Sequence, residues 1–151
     1  MRYFKLVLPW PPSTNHIWEN VNVGGKTRTY RSKEYKTFLD GAWAAYHIAK
    51  AKGECPSKAI EGDEIHVRLV LFPPNNRRYD VDNRIKAVLD ALTHVGLWHD
   101  DSQVRSINAW KWYRAEKEHP RVEVEIRVYP PDPPDDDYGP LEEFGSSANL
   151  E

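Results

Sequence analysis

The chain has 151 residues, 40% of them hydrophobic, and a single cysteine; this suits one domain with one core and excludes an intrachain disulfide or a cysteine-based zinc cage. Its net charge of −2 hides an asymmetry, because seven acidic and no basic residues follow Pro130, which leaves 21 basic against 16 acidic residues in 1–129. No apolar run approaches the ~20 residues of a membrane span, and the N-terminus lacks a signal-peptide pattern, so we expect a cytoplasmic protein without a membrane partner.

The predicted elements begin with a strand and a basic loop. Residues 3–8 (YFKLVL) predict the strand, which ends at the prolines of PWPPSTN because proline cannot donate to a strand ladder. Residues 15–31 predict a loop, since the Gly-Gly pair inside it disfavours regular structure. Three basic residues make this loop a candidate for contacts with DNA phosphates. They are Lys26, Arg28 and Arg31.

A helix, a strand and a second helix follow. Ser32 suits the N-cap of a helix, which apolar residues at helical spacing extend to about residue 52. Residues 64–72 alternate between apolar and polar side chains over most of their length and predict a strand. The second helix is expected to begin near Asp82 and to end at Gly96, a residue type common at helix C-termini.

Two further strands complete the predicted domain. Residues 103–114 form the less regular one, and residues 121–128 alternate without a break, with AEKEHP joining the two as a hairpin. The predicted fold is a single α+β (mixed α/β) domain in the order β-α-β-α-β-β, with two helices packed on one mixed sheet. It occupies 1–129, and residues 130–151 form an acidic, Pro-rich tail that we expect to be disordered.

Paired carboxylates distinguish the stretch NNRRYDVDNRIKAVLDAL. Asp80 and Asp82 leave an extended chain on the same side, and Lys86 lies one helical turn beyond Asp82. The chain then folds back, which can bring Asp101 close to the pair. Clustered carboxylates are hard oxygen ligands that suit Mg²⁺ or Mn²⁺, and such an ion supports phosphodiester hydrolysis, with Lys86 adding a fixed positive charge.

Each of these residues also has a purely structural interpretation. Asp82 stands where a helix N-cap would stand. Lys86 and Asp90 have the i, i+4 spacing of a surface ion pair, which is the interpretation we favour for Asp90. Asp100 and Asp101 also suit a simple turn. From these residues alone, a metal site and ordinary structure both remain open.

Basic and aromatic residues near the carboxylates are compatible with nucleic acid. Arg77 and Arg78, just upstream of the paired aspartates, suit contacts with flanking phosphates. The mildly basic body permits a polyanionic partner without requiring one. Four aromatic residues suit base stacking, and they equally suit the core or a dimer contact. These are Trp98, Trp110, Trp112 and Tyr113.

Three segments, in this order and spacing, resemble the RusA-type Holliday junction resolvases, which occur largely in phages and prophages. The segments are LPWPPSTN, RRYDVDNRIKAVLDAL and GLWHDDSQV, and the similarity covers about residues 6–128. The resemblance implies a Mg²⁺-dependent, structure-selective endodeoxyribonuclease, with Mn²⁺ able to substitute. It further implies a homodimer that resolves four-way DNA junctions in recombination and repair by paired nicks in opposed strands, in the cytoplasm of a bacterial host.

The resemblance also implies roles for individual residues. Asp80, Asp82 and Asp101 match the metal ligands of the family, and Lys86 matches its essential lysine; these four are the expected catalytic residues. Asn83 occupies the asparagine of the family motif and is expected to brace the site next to the DNA. The expected DNA contacts are Arg77, Arg78, Asn83, Lys26, Arg28 and Arg31.

Two other functions remain compatible with these residues. One is a branched-DNA-binding module with weak or no cleavage activity, and the other is a metal-dependent hydrolase of small nucleotides. The sequence departs from the family pattern at Asn76 and Tyr79, in a run that tends to be richer in arginine, and in its acidic tail. The basic residues around the carboxylates argue against a small nucleotide as the substrate.

Overall fold

The computed structural model describes residues 2–62 and 64–130. The elements are β1 (Arg2–Pro9), a first 3-10 turn (Thr14–His16), β2 (Trp18–Val23), β3 (Lys26–Arg31), α1 (Lys33–Ala51), β4 (Ile65–Phe72), α2 (Asp82–His94), a second 3-10 turn (Asp101–Gln103), β5 (Val104–Lys111) and β6 (Arg121–Val128). Of the predicted tail, 130–151, only Pro130 lies within the described residues. The boundary at residue 129 and the disorder of the tail therefore remain predictions.

A mixed four-stranded sheet forms the centre of the fold, in the order β1-β6-β4-β5. β6 pairs antiparallel with both β1 and β4, whereas β4 and β5 are parallel. Parallel neighbours need a crossover connection, and α2 provides it between β4 and β5. The predicted class, an α+β domain with two helices and a mixed sheet, is confirmed.

The predicted hairpin between the last two strands is wrong. β6 lies between β1 and β4, so β4 separates it from β5. The reason is burial: β6 buries four aliphatic side chains on one face and half-buries four charged side chains on the other. That pattern suits a strand with neighbours on both sides, whereas the more exposed β5 lies at the edge of the sheet.

The predicted loop at residues 15–31 is also wrong, because most of it is an antiparallel ribbon of β2 and β3. Gly24 and Gly25, taken from the sequence as a break, form its turn, with φ values of 59° and 78°. Positive φ at both central residues is what a two-residue type I′ turn requires, and glycine adopts it without steric cost. Every ribbon residue is exposed, so no one-sided apolar pattern marks these strands in the sequence.

The core lies between the helices and one face of the four-stranded sheet. Ser32 caps α1 as predicted, because its hydroxyl accepts a hydrogen bond of 3.1 Å from the Tyr35 backbone N–H. In the middle of α1, a Cβ added at Gly41 would lie 2.5 Å from the Pro9 ring of β1. The absence of a side chain at Gly41 thus allows α1 to approach β1 closely.

The opposite face of the sheet carries charged side chains rather than a second layer of helices in the part of the chain that the structure describes. Glu125 of β6 lies between two neighbouring strands. Its carboxylate is 2.9 Å from Lys5 Nζ of β1 and 3.2 Å from Arg68 Nη1 of β4. Neither helix among the described residues is both long enough and apolar enough to cross a membrane.

Candidate functional site

Three of the predicted catalytic residues lie at or just before the start of α2: Asp80, Asp82 and Lys86. A cavity of about 420 Å³ adjoins α2, and its walls come from the base of the ribbon, from α1 and from the second 3-10 turn. Lys86 and Asp101 both line this cavity, together with Arg31 from the end of β3. Asp80 and Asp82 are not among its lining residues, and they lie at the entrance to α2. The fold therefore places Asp101 beside Lys86 of α2, while its approach to Asp80 and Asp82 remains a prediction.

Asn83 links the polar residues at the start of α2 by hydrogen bonds. The Asn83 side-chain amide donates to Asp80 Oδ2 at 3.4 Å, and its carbonyl oxygen accepts a hydrogen bond of 2.7 Å from Thr14 Oγ1. The N-cap position belongs to Val81, which makes no side-chain cap bond. Asp82 therefore does not act as the N-cap, and its exposed carboxylate lies in the first turn, where the helix dipole favours negative charge.

Asp100 and Asp101 have different surroundings although they are adjacent. Asp100 caps the second 3-10 turn, since its carboxylate accepts a hydrogen bond of 2.8 Å from the Ser102 backbone N–H. Hydrogen bonds from the Ser102 hydroxyl and N–H hold the pKa of Asp100 below its usual value. Gln103 completes a capping box by accepting from the Asp100 N–H at 3.1 Å. Asp101 is not the capping residue of this turn, and it lines the cavity.

Lys86 faces the same cavity as a stable cation. Its Nζ lies 3.2 Å from Asp90 Oδ1, so the predicted i, i+4 ion pair is confirmed. The hydrogen bond with Asp90 raises the pKa of Lys86, and the negative charge of Asp101 raises it further. Lys86 is therefore charged at neutral pH, and it lines the same cavity as Asp101.

The three predicted metal ligands do not form a closed cluster. Across residues 2–62 and 64–130, no group of three or more His, Cys, Asp or Glu side chains is close enough together to hold a metal ion. The chemistry of the donors nevertheless suits a hard divalent cation, because Asp82 and Asp101 have carboxylates without an ion-pair partner in these residues. The convergence of Asp80, Asp82 and Asp101 on one ion remains a prediction.

The predicted DNA contacts fall into two groups. Arg77 and Arg78 are exposed on the loop before α2, where the Arg77 N–H donates to Asn75 Oδ1 at 2.9 Å. On the ribbon, Arg31 pairs with Trp18 at the base, with its guanidinium 5.9 Å from the centre of the Trp18 ring. The other two basic residues, Lys26 and Arg28, lie toward the tip of the ribbon and share its opposite face.

Sequence reasoning missed a cluster that fixes the entrance to α2. The Arg84 guanidinium lies 5.1 Å from the Trp10 ring and 5.9 Å from the Tyr79 ring, and it donates to the Pro11 carbonyl. Trp10 and Tyr79 pack edge to face at 5.1 Å. In the sequence, Arg84 reads as one more surface cation; the prolines and tryptophan of PWPPSTN were the only signal that this segment packs against the motif.

The family model described as Endodeoxyribonuclease RusA matches residues 9–127. The crossover junction endodeoxyribonuclease RusA of Escherichia coli strain K12 is 32% identical over 104 residues, covering 69% of this chain and 78% of that protein. The protein of the same name from Enterobacteria phage 82 is 33% identical over 105 residues, with the same coverage of 69% and 78%.

One solved structure, the periplasmic domain of Helicobacter pylori MotB, aligns at a TM-score of 0.34 and 18% identity over 85% of this chain and 80% of that one. This similarity is too low to support a conclusion about fold or function.

Proposed function

Because the chain belongs to the RusA family of endodeoxyribonucleases, we propose that it resolves four-way DNA junctions by paired nicks in opposed strands during recombination and repair. The observation that carries the proposal is the family match over residues 9–127, which includes all of the candidate catalytic residues. The position of Asp101 and Lys86 on one cavity supports it, because phosphodiester hydrolysis needs negative ligands for a cation and a positive charge near the scissile phosphate.

The carboxylates of Asp80, Asp82 and Asp101 would hold a divalent cation, Mg²⁺ or in its place Mn²⁺. When bound, such an ion polarises the phosphoryl oxygen and lowers the pKa of a coordinated water. Lys86 contributes a full positive charge toward the phosphorane that develops during attack. Asn83 orients the Asp80 carboxylate through their hydrogen bond.

The proposed DNA contacts surround this site. Arg77 and Arg78 bind phosphates next to the cut, Asn83 braces the site beside the DNA through its hydrogen bond with Asp80, and Arg31 contacts the strand that enters the cavity. Lys26 and Arg28 add charge along the ribbon, whose width suits the major groove of duplex DNA. The ribbon residues Arg31, Lys26 and Arg28 thus extend the contact surface beyond the scissile phosphate.

We also propose that the active form is a homodimer in the cytoplasm of a bacterial host, encoded by a phage or prophage. A four-way junction has two-fold symmetry, and two opposed strands are cut most simply by two identical sites related by a two-fold axis. The similarity to a phage protein supports the proposed origin.

Cleavage of a synthetic four-way junction tests this function. With Mg²⁺, the purified chain should give symmetric nicks in opposed strands of the junction and no product from linear duplex. Asp82→Asn should abolish the nicks while junction binding persists, and Asp40→Asn, a charge-matched change on the exposed face of α1, should leave cleavage intact.

Four results would contradict the proposal. Full cleavage by Asp82→Asn, or cleavage without any metal, would disprove the catalytic assignment. Junction binding without metal-dependent product would indicate a branched-DNA-binding module. Release of phosphate from free nucleotides, with no effect on DNA, would indicate a nucleotide hydrolase.

A further inference from the structure

A groove beside the carboxylate motif carries basic and aromatic residues, of which the proposed function uses only Arg77 and Arg78. It lies between residues 73–79, which precede α2, and residues 111–114, at the end of β5, and it has a volume of about 280 Å³. Among the described residues that line it there are four basic side chains and no acidic one. The basic residues are Arg77, Arg78, Lys111 and Arg114. Charge of a single sign suits a polyanion.

The groove is built on the end of the central strand β4. The Trp112 N–H donates to the Leu71 carbonyl at 2.8 Å, and the Glu116 N–H donates to the Pro73 carbonyl at 2.7 Å. The Trp112 ring packs against the buried Phe72 ring, with their centres 5.0 Å apart. These contacts hold one wall of the groove against the sheet, so that wall is positioned before any ligand binds.

Tyr113 extends this aromatic wall into solvent. Its side chain is 73% exposed, the highest value among the exposed large hydrophobic residues of the described chain. The centre of its ring lies 4.8 Å from that of Trp112, and the Arg114 guanidinium lies 5.0 Å from the Tyr113 ring. An exposed ring held by a fixed neighbour and next to a guanidinium has the composition of a surface on which nucleic acid bases stack.

The groove is directly connected to the carboxylate motif. Lys111 donates from Nζ to the Tyr79 backbone carbonyl, and the same ammonium lies 4.5 Å from the centre of the Tyr79 ring. Tyr79 immediately precedes Asp80 in the chain, so their Cα atoms are about 3.8 Å apart. A nucleotide in the groove is therefore a close neighbour of any phosphate held at Asp80.

We propose that this groove holds an unpaired nucleotide of the DNA strand that is cut, with its base stacked on Tyr113 and its phosphates contacting Arg77, Arg78 and Arg114. The inference rests on the proposed function and specifies its substrate. Aromatic rings in a basic groove are how single-stranded DNA is held, and a base within intact duplex does not present its face to such a ring. Tyr113 therefore selects DNA in which a base has left the stack, as at a branch point.

The experiment uses junctions that carry 2-aminopurine at the branch positions, bound by Asp82→Asn protein so that the strands stay intact. We expect the fluorescence of the branch-point base to change on binding, because the base leaves its DNA neighbours and stacks on Tyr113. Adding Tyr113→Ala should remove this change and weaken binding to the junction and to single-stranded DNA about tenfold. Tyr113→Phe keeps the ring and should behave as the parent. Trp43→Ala, which removes an aromatic residue of α1 that is 56% exposed, should also change neither measurement.

The outcomes separate this inference from the proposed function. If the parent chain cuts junctions and Tyr113→Ala retains the fluorescence change and the affinity, the stacking site is disproved and the nuclease assignment stands. If the parent binds single-stranded DNA through Tyr113 but does not cut junctions, the stacking site stands and the nuclease assignment fails. If Tyr113→Ala instead halves the mass measured by sedimentation, the groove is a contact between copies of the chain, and the inference is wrong.

Discussion

Asp100 and Asp101 show how two neighbouring carboxylates acquire separate tasks. The Asp100 carboxylate is occupied by the backbone of the turn that it caps, whereas the Asp101 carboxylate lines the cavity with Lys86. A hydrogen-bond acceptor at position 100 is sufficient for the cap, because asparagine caps about as well as aspartate. A negative charge is needed only at position 101 if that residue binds a cation.

The separate roles of Asp100 and Asp101 can be tested by matched substitutions. Asp101→Asn should lower the single-turnover rate of junction cleavage in Mg²⁺ by about a hundredfold or more, since a charge at the reacting centre is lost. Asp100→Asn should retain most of the rate, and neither change should alter the circular dichroism spectrum. Equal losses of activity in the two variants would show that the division of tasks is wrong.

The candidate ligands were predictable from the sequence, whereas the contacts of Arg84 were not. The candidate ligands and Lys86 came from residue type, short spacing and a family resemblance, all of which are visible in a sequence. The Arg84 contact with Pro11 joins positions 73 apart and depends on how the PWPPSTN segment packs on α2. No local pattern encodes such a contact, so the cluster around Arg84 could not be predicted.

The elements with one buried face were predictable, and those without one were not. In α1, the six buried side chains recur at helical spacing, and in β4 they alternate, so the sequence predicted both elements closely. The ribbon of β2 and β3 buries no residue and therefore lacks this signal. The position of β6 between β1 and β4 follows from how deeply β6 is buried compared with β5, which the alternation within β6 alone does not decide.

The contact between α1 and β1 gives a prediction at the element scale. Gly41→Ala should lower the free energy of unfolding by about 1–2 kcal/mol, because the new methyl group meets the Pro9 ring, and the cost of overpacking exceeds the gain of up to about 1 kcal/mol in helix propensity. Urea denaturation of the parent, of Gly41→Ala and of Asp40→Ala measures the change in the free energy of unfolding. Asp40 is an exposed neighbour on the same helix, and its substitution should have little effect. A higher stability of Gly41→Ala would show that α1 has room to shift.

The ion pairs on the charged face of the sheet make the stability of the whole molecule depend on pH. Burial alone would raise the pKa of Glu125, but hydrogen bonds from Lys5 and Arg68 outweigh it and hold the pKa below its usual value. A carboxylate with a lowered pKa in the folded state stabilises the protein above about pH 4.5, the ordinary value for glutamate. This contribution is lost as the pH falls through the lower value of the folded state.

Glu125→Gln tests this linkage. The substitution should lower the free energy of unfolding by about 1 kcal/mol at pH 7, and the difference from the parent should shrink as the pH is reduced from 5 to 3. Glu123→Gln is the control, because Glu123 is more exposed and, among residues 2–62 and 64–130, forms its ion pair along its own strand, with Arg121 at 2.9 Å. A difference between Glu125→Gln and the parent that stays constant with pH would contradict the proposed ion pairs.

The exposed ribbon of β2 and β3 allows a bound macromolecule to be detected by hydrogen exchange. A two-stranded hairpin without a layer beneath it is marginally stable, so the backbone amides of β2 and β3 open by local fluctuation, independently of global unfolding. In deuterium-exchange mass spectrometry these amides should therefore label quickly, while those of the central strand β6 label slowly. Any macromolecule that covers the ribbon should slow its labelling alone, which reveals the contact without a mutation or a dye.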